Sequence, residues 1–395
     1  MPFFPLDFLQ ERTGLLAENA MRATIYKGFD DLPAVHQDFL AGVEANDFFA
    51  GLGWYRNFAA NAVEPSAQVR IYAVEEGVKG VRAILFARTP AGQNGSIFAN
   101  RFPGWPTLAS LTNYQSIRFS LVLAEGEYDK EKTVGALART ICAEKPRLGV
   151  LDFNLMDPES SSFSLLRAAF TKAGMVVRTY EYNRTVFEKV AGSSYEEFLA
   201  SRSEIVKKTF VRKARNLAKR GSTEFKMITT AQDAEAGLQD YQTVLENSWK
   251  EPEPFPRHTP GVVRAAALSG ALRLGILYFD GQPVAAQIWI VSGGRATIYK
   301  LHYDLSHKQL SVGSILSLRM FETVIDRDRV SEIDFGVGGE PHKLNWLSQS
   351  RSLQGIVAFN PRTAIGLRQL ILYTLRTVWR RTRRSLRDLR TRGSS

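Results

Sequence analysis

Cysteine is almost missing from this chain: its 395 residues include one, Cys142. That excludes an intrachain disulfide and a cysteine-rich metal site, and it fits a reducing compartment. Histidine is scarce too. His36, His258, His302, His307 and His342 are scattered without metal-ligand spacing, so no metal is expected. No apolar run approaches the ~20 residues a bilayer span needs. The opening Met-Pro-Phe-Phe-Pro-Leu-Asp lacks a basic stretch followed by an apolar one, so no signal peptide is read. Gly-x-Ser-x-Gly, Gly-x-x-x-x-Gly-Lys-Ser/Thr and His-Glu-x-x-His are all missing, which removes the common hydrolase elbow, phosphate-binding loop and zinc-protease signatures. The expectation is a cytoplasmic protein, soluble or lying on a membrane without crossing it.

Charge is present but unevenly placed. The formal net charge is +11. Residues 362–395 hold ten arginines, no lysine and one acid, Asp388; residues 201–221 hold eight basic residues and one acid, Glu204. The rest of the chain is mildly acidic by difference. Two basic segments on an acidic body point to anionic partners at two places.

The apolar pattern alternates short strand-like runs with helical stretches, which predicts an α/β fold. In the first half, strands are read at 69–74 and 81–87, a helix at 130–144, a buried strand at 149–153, a helix at 163–173 and a strand at 176–187. The second half repeats the order. A strand is read at 225–229, helices at 231–250 and 261–269, and a hairpin at 272–279 and 284–291 around Asp280-Gly281. A strand at 295–303, a helix at 312–327 and strands at 332–336 and 352–359 follow. Leu151-Asp152-Phe153 and Ile333-Asp334-Phe335 each follow a helix and precede a loop ending in proline, which reads as a diverged duplication. The expected division is 1–190, a basic connecting helix over 191–222 (Ser203 as N-cap, Gly221 as stop), 223–360, and a basic tail over 361–395.

Chemistry-bearing residues crowd between Lys300 and Trp346. Residues 309–314, Gln-Leu-Ser-Val-Gly-Ser, lead from a strand into an apolar helix. Free amides and the positive dipole end there make a diphosphate site, and Gly313 permits close backbone approach. The glycine-rich loop 336–343 carries Glu340, His342 and Lys343 together, which favours a substrate or cofactor role.

The series Lys300-x-x-Tyr303-Asp304, Ser311-x-Gly313, then Asp334-Phe335-Gly336-x-Gly338-x-Glu340-x-x-Lys343-x-x-Trp346 resembles the CelD/BcsL-type branch of the GNAT superfamily, related to the FemABX transferases. The resemblance runs from about 196 to 360. It departs from the family at His342, where a tyrosine is usual. It implies two tandem GNAT-like domains, mixed sheets flanked by helices, with catalysis in the second and a silent first domain shaping the acceptor cleft. It also implies acyl-CoA as co-substrate, its pantetheine lying between strands 295–303 and 332–336, and N-acyl transfer by direct attack.

Amine acylation needs a base for the amine proton, a donor for the oxyanion and an acid for the thiolate. The base candidates are Glu340 and His342, with Asp304 orienting and Tyr303 as acid. Lys300, Gln309, Ser311, Gly313, Ser314 and Lys343 are the cofactor-binding candidates, and His302, Asp334 and Trp346 the substrate-cleft candidates. Asp334 reads more readily as a loop cap or ion-pair partner and Trp346 as core or rim, and His302 also reads as an outward strand residue. The Pro-rich segment 249–256 reads either as a cover for the acceptor site or as a plain loop.

In the tail, Leu367, Ile371, Leu375, Val378, Leu386 and Leu389 recur near helical spacing, with arginines largely opposite. This is an amphipathic pattern suited to an anionic membrane surface; a helix docked on the body and a nucleic-acid contact are the alternatives. Nucleic acid is disfavoured because no reading module is visible. The expected acceptor is a membrane lipid amine such as a sphingoid base, which implies a ceramide-synthase-like enzyme. An amino sugar or envelope polysaccharide precursor, a non-catalytic scaffold, and aminoacyl transfer from tRNA to which 201–221 would contribute stand as alternatives.

Overall fold

A computed structural model describes residues 21–89 and 107–392. The expectation about the extreme N-terminus lies outside them. The first half runs β1 (Met21–Tyr26), α1 (Ala34–Asn46), α2 (Leu52–Asn61), β2 (Gln68–Glu76), β3 (Val81–Thr89), β4 (Thr107–Ser110) and β5 (Val122–Leu123). It continues with α3 (Lys130–Ala143), β6 (Val150–Met156), α4 (Ser161–Lys172) and β7 (Val176–Lys189). A connection with α5 (Tyr195–Ala200), a π-turn at Ile205–Phe210 and α6 (Val211–Leu217) leads to the second half. There follow β8 (Thr223–Ile228), α7 (Ala231–Glu246), α8 (His258–Leu268), β9 (Leu272–Phe279), β10 (Gln282–Ser292) and β11 (Arg295–Tyr303). Then come α9 (Val312–Glu322), β12 (Glu332–Val337), β13 (Gln349–Phe359) and α10 (Ala364–Arg392). The fold is mixed α/β, as the apolar periodicity predicts.

Local chemistry explains most boundaries. Asp129, Ser160 and Thr230 cap α3, α4 and α7 with their side-chain oxygens, and Ser194 and Glu197 close a capping box on α5. The β9–β10 turn places Asp280 and Gly281 both at positive φ, the geometry of a two-residue hairpin. The connecting segment differs from expectation. Its helix runs from the π-turn directly into α6 and so spans nearly the expected length, but Ser203 donates to the carbonyl of Asn345 instead of capping it. Arg202, buried beside it, pairs with Glu188 and donates to the Trp346 carbonyl, fastening the connection to the loop after β12.

All strands join one sheet in the order β1-β2-β3-β4-β6-β13-β7-β12-β11-β10-β9-β8, with β5 beside β3. The halves exchange their closing strands. β13 from the second half lies antiparallel to β6 of the first, and β7 from the first lies antiparallel to β12 of the second. Each half also holds one parallel pair, made in three rungs. In the first, Thr107, Leu108 and Ala109 oppose Val150, Leu151 and Asp152; in the second, Arg295, Ala296 and Thr297 oppose Glu332, Ile333 and Asp334. The two aspartates that looked repeated in sequence thus occupy the same rung. Among the described residues no helix is long and apolar enough to cross a membrane.

Candidate active site

Beyond the third rung β11 and β12 part. β11 continues to Tyr303, whereas β12 turns away through Gly336 and Gly338, both at positive φ. β11 also carries a bulge: Ile298 faces Trp289 and Lys300 faces Ile288, leaving Tyr299 as the extra residue. Paired parallel strands would stay about 4.8 Å apart. Their separation leaves the facing edge of β11 without a strand partner, so its backbone donors and acceptors are open to a ligand.

A cavity of about 420 Å³ occupies this gap. Residues 298–301 of β11 form one wall, and Phe335, Gly336 and Val337 with Glu340, His342 and Lys343 form another. The first half supplies residues 114–117, and Trp249 and Lys250 complete the rim. A side chain at Gly336 would be crowded, because a Cβ would meet Ile117 at 3.1 Å and the Ile298 carbonyl at 3.3 Å.

Lys300 is the electrostatic centre of the wall. Its ammonium pairs with Glu253 at 2.5 Å and donates to Gln115 Oε1 at 2.6 Å. Gln115 and Thr259 both donate to the second Glu253 oxygen, at 3.3 and 3.0 Å. Burial alone raises the Glu253 pKa, but Lys300 and these donors outweigh it and hold the carboxyl below its usual range. Desolvation by its neighbours and repulsion from Lys300 push Lys250 down to about 8, although the residue keeps an exposed surface.

The other expected residues divide. Glu340 and His342 line the cavity, but Glu340 is ion-paired to Lys343 at 2.9 Å, and this pairing outweighs partial burial to keep its pKa low. Lys343 is largely committed: its ammonium also donates to the carbonyls of Val337 and Gly338 at 2.9 and 3.2 Å, clasping the end of β12. Asp334 receives Arg351 at 2.6 Å, the Gly336 amide at 2.7 Å and the Thr185 hydroxyl, so it anchors the turn of β12. Trp346 is buried between Phe210 and Phe321. His302 is buried against Tyr241, with Nε2 at 2.8 Å from the phenol, and burial together with Lys250 and Lys300 drives its pKa down to about 2. Asp304 caps the turn after β11 by accepting from Ser306.

At the far end of β11 lies the start of α9. Ser311 is left-handed (φ 59°) and precedes the free first-turn amides. Lys213 of α6 reaches its hydroxyl at 2.7 Å, bringing a cation from the basic connection to the helix N-terminus. Gly313 lies under the Tyr303 ring, which a Cβ would touch at 3.1 Å, and Tyr303 packs on Trp249 with ring centroids 4.4 Å apart. A Trp249–Tyr303–Gly313 line therefore joins the cavity rim to the helix start. Gln309 is exposed and Ser314 half-buried there.

Sequence reasoning did not find Gln115, Glu253, Lys250 or Lys213. Gln115 carries no motif, and its partner lies 185 residues away. Lys250 and Glu253 had one signal, the proline-rich segment that contains them.

The equivalent gap in the first half is filled. Phe119 donates its amide to the Leu155 carbonyl at 2.9 Å, and Ser110 and Thr112 both reach Asn154 Oδ1.

Residues 206–344 match the family of Acetyltransferase (GNAT) domains. No curated protein matches the chain in sequence. Among solved structures, the chain is similar to FemX at 10% identity, with 86% of this chain and 98% of that one covered and a TM-score of 0.53. It is similar to the C-terminal domain of a proposed lysylphosphatidylglycerol synthetase from Agrobacterium fabrum at 11% identity, covering 86% and 95%, TM-score 0.51. It is also similar to a conserved protein of unknown function from Bacteroides thetaiotaomicron VPI-5482 at 11% identity, covering 85% and 100%, TM-score 0.52. These likenesses establish the fold. The match over residues 206–344, about a third of the chain, supports an acyltransferase.

Proposed function

We propose that the chain moves an acyl group from a coenzyme A thioester to an amine inside the β11–β12 gap. The observation that carries this reading is the parallel pair that holds for three rungs and then opens around a cavity. An extended, amide-bearing pantetheine arm fits the unpaired edge of β11 as a surrogate strand. The diphosphate belongs at the start of α9, where free amides, Gly313 and Lys213 meet.

The amine nitrogen attacks the thioester carbonyl carbon and loses a proton. The C–N bond forms, the C–S bond breaks, and CoA leaves as a thiolate that takes up a proton. Backbone amides at the Tyr299 bulge are the donors for the developing oxyanion. His342, which lines the cavity outside the Glu340–Lys343 pair, suits the role of base better than Glu340, whose pairing makes it a poor proton acceptor. Tyr303, whose ring lies between Trp249 and Gly313, is the candidate acid for the thiolate.

The acceptor is best read as a lipid amine met at an anionic membrane. α10 docks one face, including Tyr373, on β13, and turns another outward. On the outward face Leu367, Ile371, Leu375 and Trp379 recur every fourth residue at 46, 51, 61 and 61% exposure, in an arginine-rich helix. Each arginine near anionic lipid contributes about 1 kcal/mol. Thiol release from acyl-CoA by the purified protein, screened across acyl lengths and amine acceptors, tests the reading. Amine-dependent release supports it; no release from any acyl-CoA with any amine overturns it.

A further inference from the structure

A second cavity, of about 900 Å³, lies beside the thioester gap, between α7, α8 and the proline-rich loop that joins them. The two share a wall. Lys250 lines both, and the ion pair of that wall presents Lys300 to the gap and Glu253 to the second cavity. The mechanism above uses only the gap.

The lining of the larger cavity combines two chemistries. Leu238, Leu245, Pro252 and Pro256 give it an apolar lining. Glu246 and Glu251 line it as exposed carboxylates; Glu246 accepts from Gln242 at 2.9 Å, and neither has an ion pair among the described residues. Its other acids are matched: Glu235 holds Arg264 through two bonds of 2.6 and 2.9 Å, and Glu253 holds Lys300. Lys250 at the partition is the one cation of the lining without an ion pair among the described residues, so the two free carboxylates outnumber it and the net unmatched charge is negative. Coenzyme A, with its phosphates, is repelled there, whereas an ammonium group is drawn in. Apolar lining of this volume rewards a hydrocarbon body at about 25 cal/mol per Å² buried.

We propose that this cavity is the acceptor chamber, and that it selects a primary amine carrying an apolar body. The amine nitrogen passes to the thioester gap at the Lys250 and Glu253–Lys300 partition. The proposal deepens the acyltransferase reading and rests on it. It also makes the loop at 249–256 a dividing wall between donor and acceptor.

The test is direct binding to the full chain by calorimetry, with octylamine, octanol and octanoate as probes and coenzyme A as a separate titrant. Octylamine is expected to bind at least tenfold more tightly than octanoate. Leu245→Trp, which fills the chamber, is expected to abolish octylamine binding while coenzyme A binds as before. The double charge reversal Glu246→Lys with Glu251→Lys, on exposed side chains that leave the core untouched, is expected to erase the preference for octylamine over octanoate. Retained coenzyme A binding certifies that each variant is folded. Octanoate binding as well as octylamine, or octylamine binding unchanged in both variants, overturns the chamber assignment alone. Failure of the wild type to bind coenzyme A overturns the donor reading instead.

Discussion

Lys300 concentrates the chemistry of the site at the scale of one residue. Its ammonium is tied to Glu253 and Gln115 and is nearly buried, so removing it strands a carboxylate away from water. Breaking a buried ion pair by deleting one partner costs about 3 kcal/mol or more. Lys300→Met should therefore lower stability by about that amount in urea unfolding, and Lys300→Met with Glu253→Gln should recover most of it. A surface-type contribution, below about 1 kcal/mol for the single variant, would contradict the buried-pair description. The same cation sets the pH behaviour of its neighbour. Lys250, pushed down to about 8 by desolvation and by Lys300, loses its charge near that pH instead of near the ordinary lysine value. As the ammonium deprotonates, repulsion of an incoming ammonium at the partition falls. Turnover should rise as pH increases through about 8, and Lys250→Arg should flatten this limb. A limb confined to the carboxylate range would place the controlling group elsewhere, at Glu340 or Glu253.

At the scale of elements, the separation of β11 from β12 is enforced by backbone geometry. Gly336 sits at φ 66° with Ile117 and the Ile298 carbonyl closing on the place a Cβ would take. Gly336→Ala should cost about 1–2 kcal/mol from left-handed strain alone, read as a lower melting temperature. It should also weaken coenzyme A binding by narrowing the gap. These elements were largely legible in sequence. The apolar runs at 295–303 and 332–336, the Asp280-Gly281 turn and the small residues before α9 each carry a local signal that the structure meets. The site they form was less legible. Glu340 and His342 line the gap, but Asp334, Trp346 and His302 share its strands and loop while being buried in other directions, a distinction that depends on which side of a strand packs on a neighbour. Residues 114–117 and Glu253 enter only through tertiary contact, for which no spacing rule exists.

At the scale of the molecule, the exchange of β7 and β13 makes one sheet of two repeats. Repetition was visible in the paired Leu-Asp-Phe and Ile-Asp-Phe segments; exchange was not, because strand pairing across hundreds of residues leaves no trace in periodicity. The consequence is a division of labour. One gap is filled by its own chain at Phe119 and Asn154, and the other is open and borrows residues 114–117 as a wall. The outward stripe of α10 belongs to this scale as well. Ile371→Asp, Leu375→Asp and Trp379→Asp together should abolish co-sedimentation with vesicles containing anionic lipid. They should leave thiol release with a soluble amine intact, since the docked face of α10 is untouched. Undiminished co-sedimentation would remove α10 from any membrane role.

The claim beneath all of this is that the opened strand pair of the second half holds a coenzyme A thioester. Calorimetric titration of the full chain with an S-alkyl thioether analogue of acyl-CoA tests it most directly. One saturable site is expected, weakened by Lys213→Ala in a salt-dependent way and by Gly313→Val through the clash with Tyr303. No binding by the wild type, or binding indifferent to both substitutions, would contradict it.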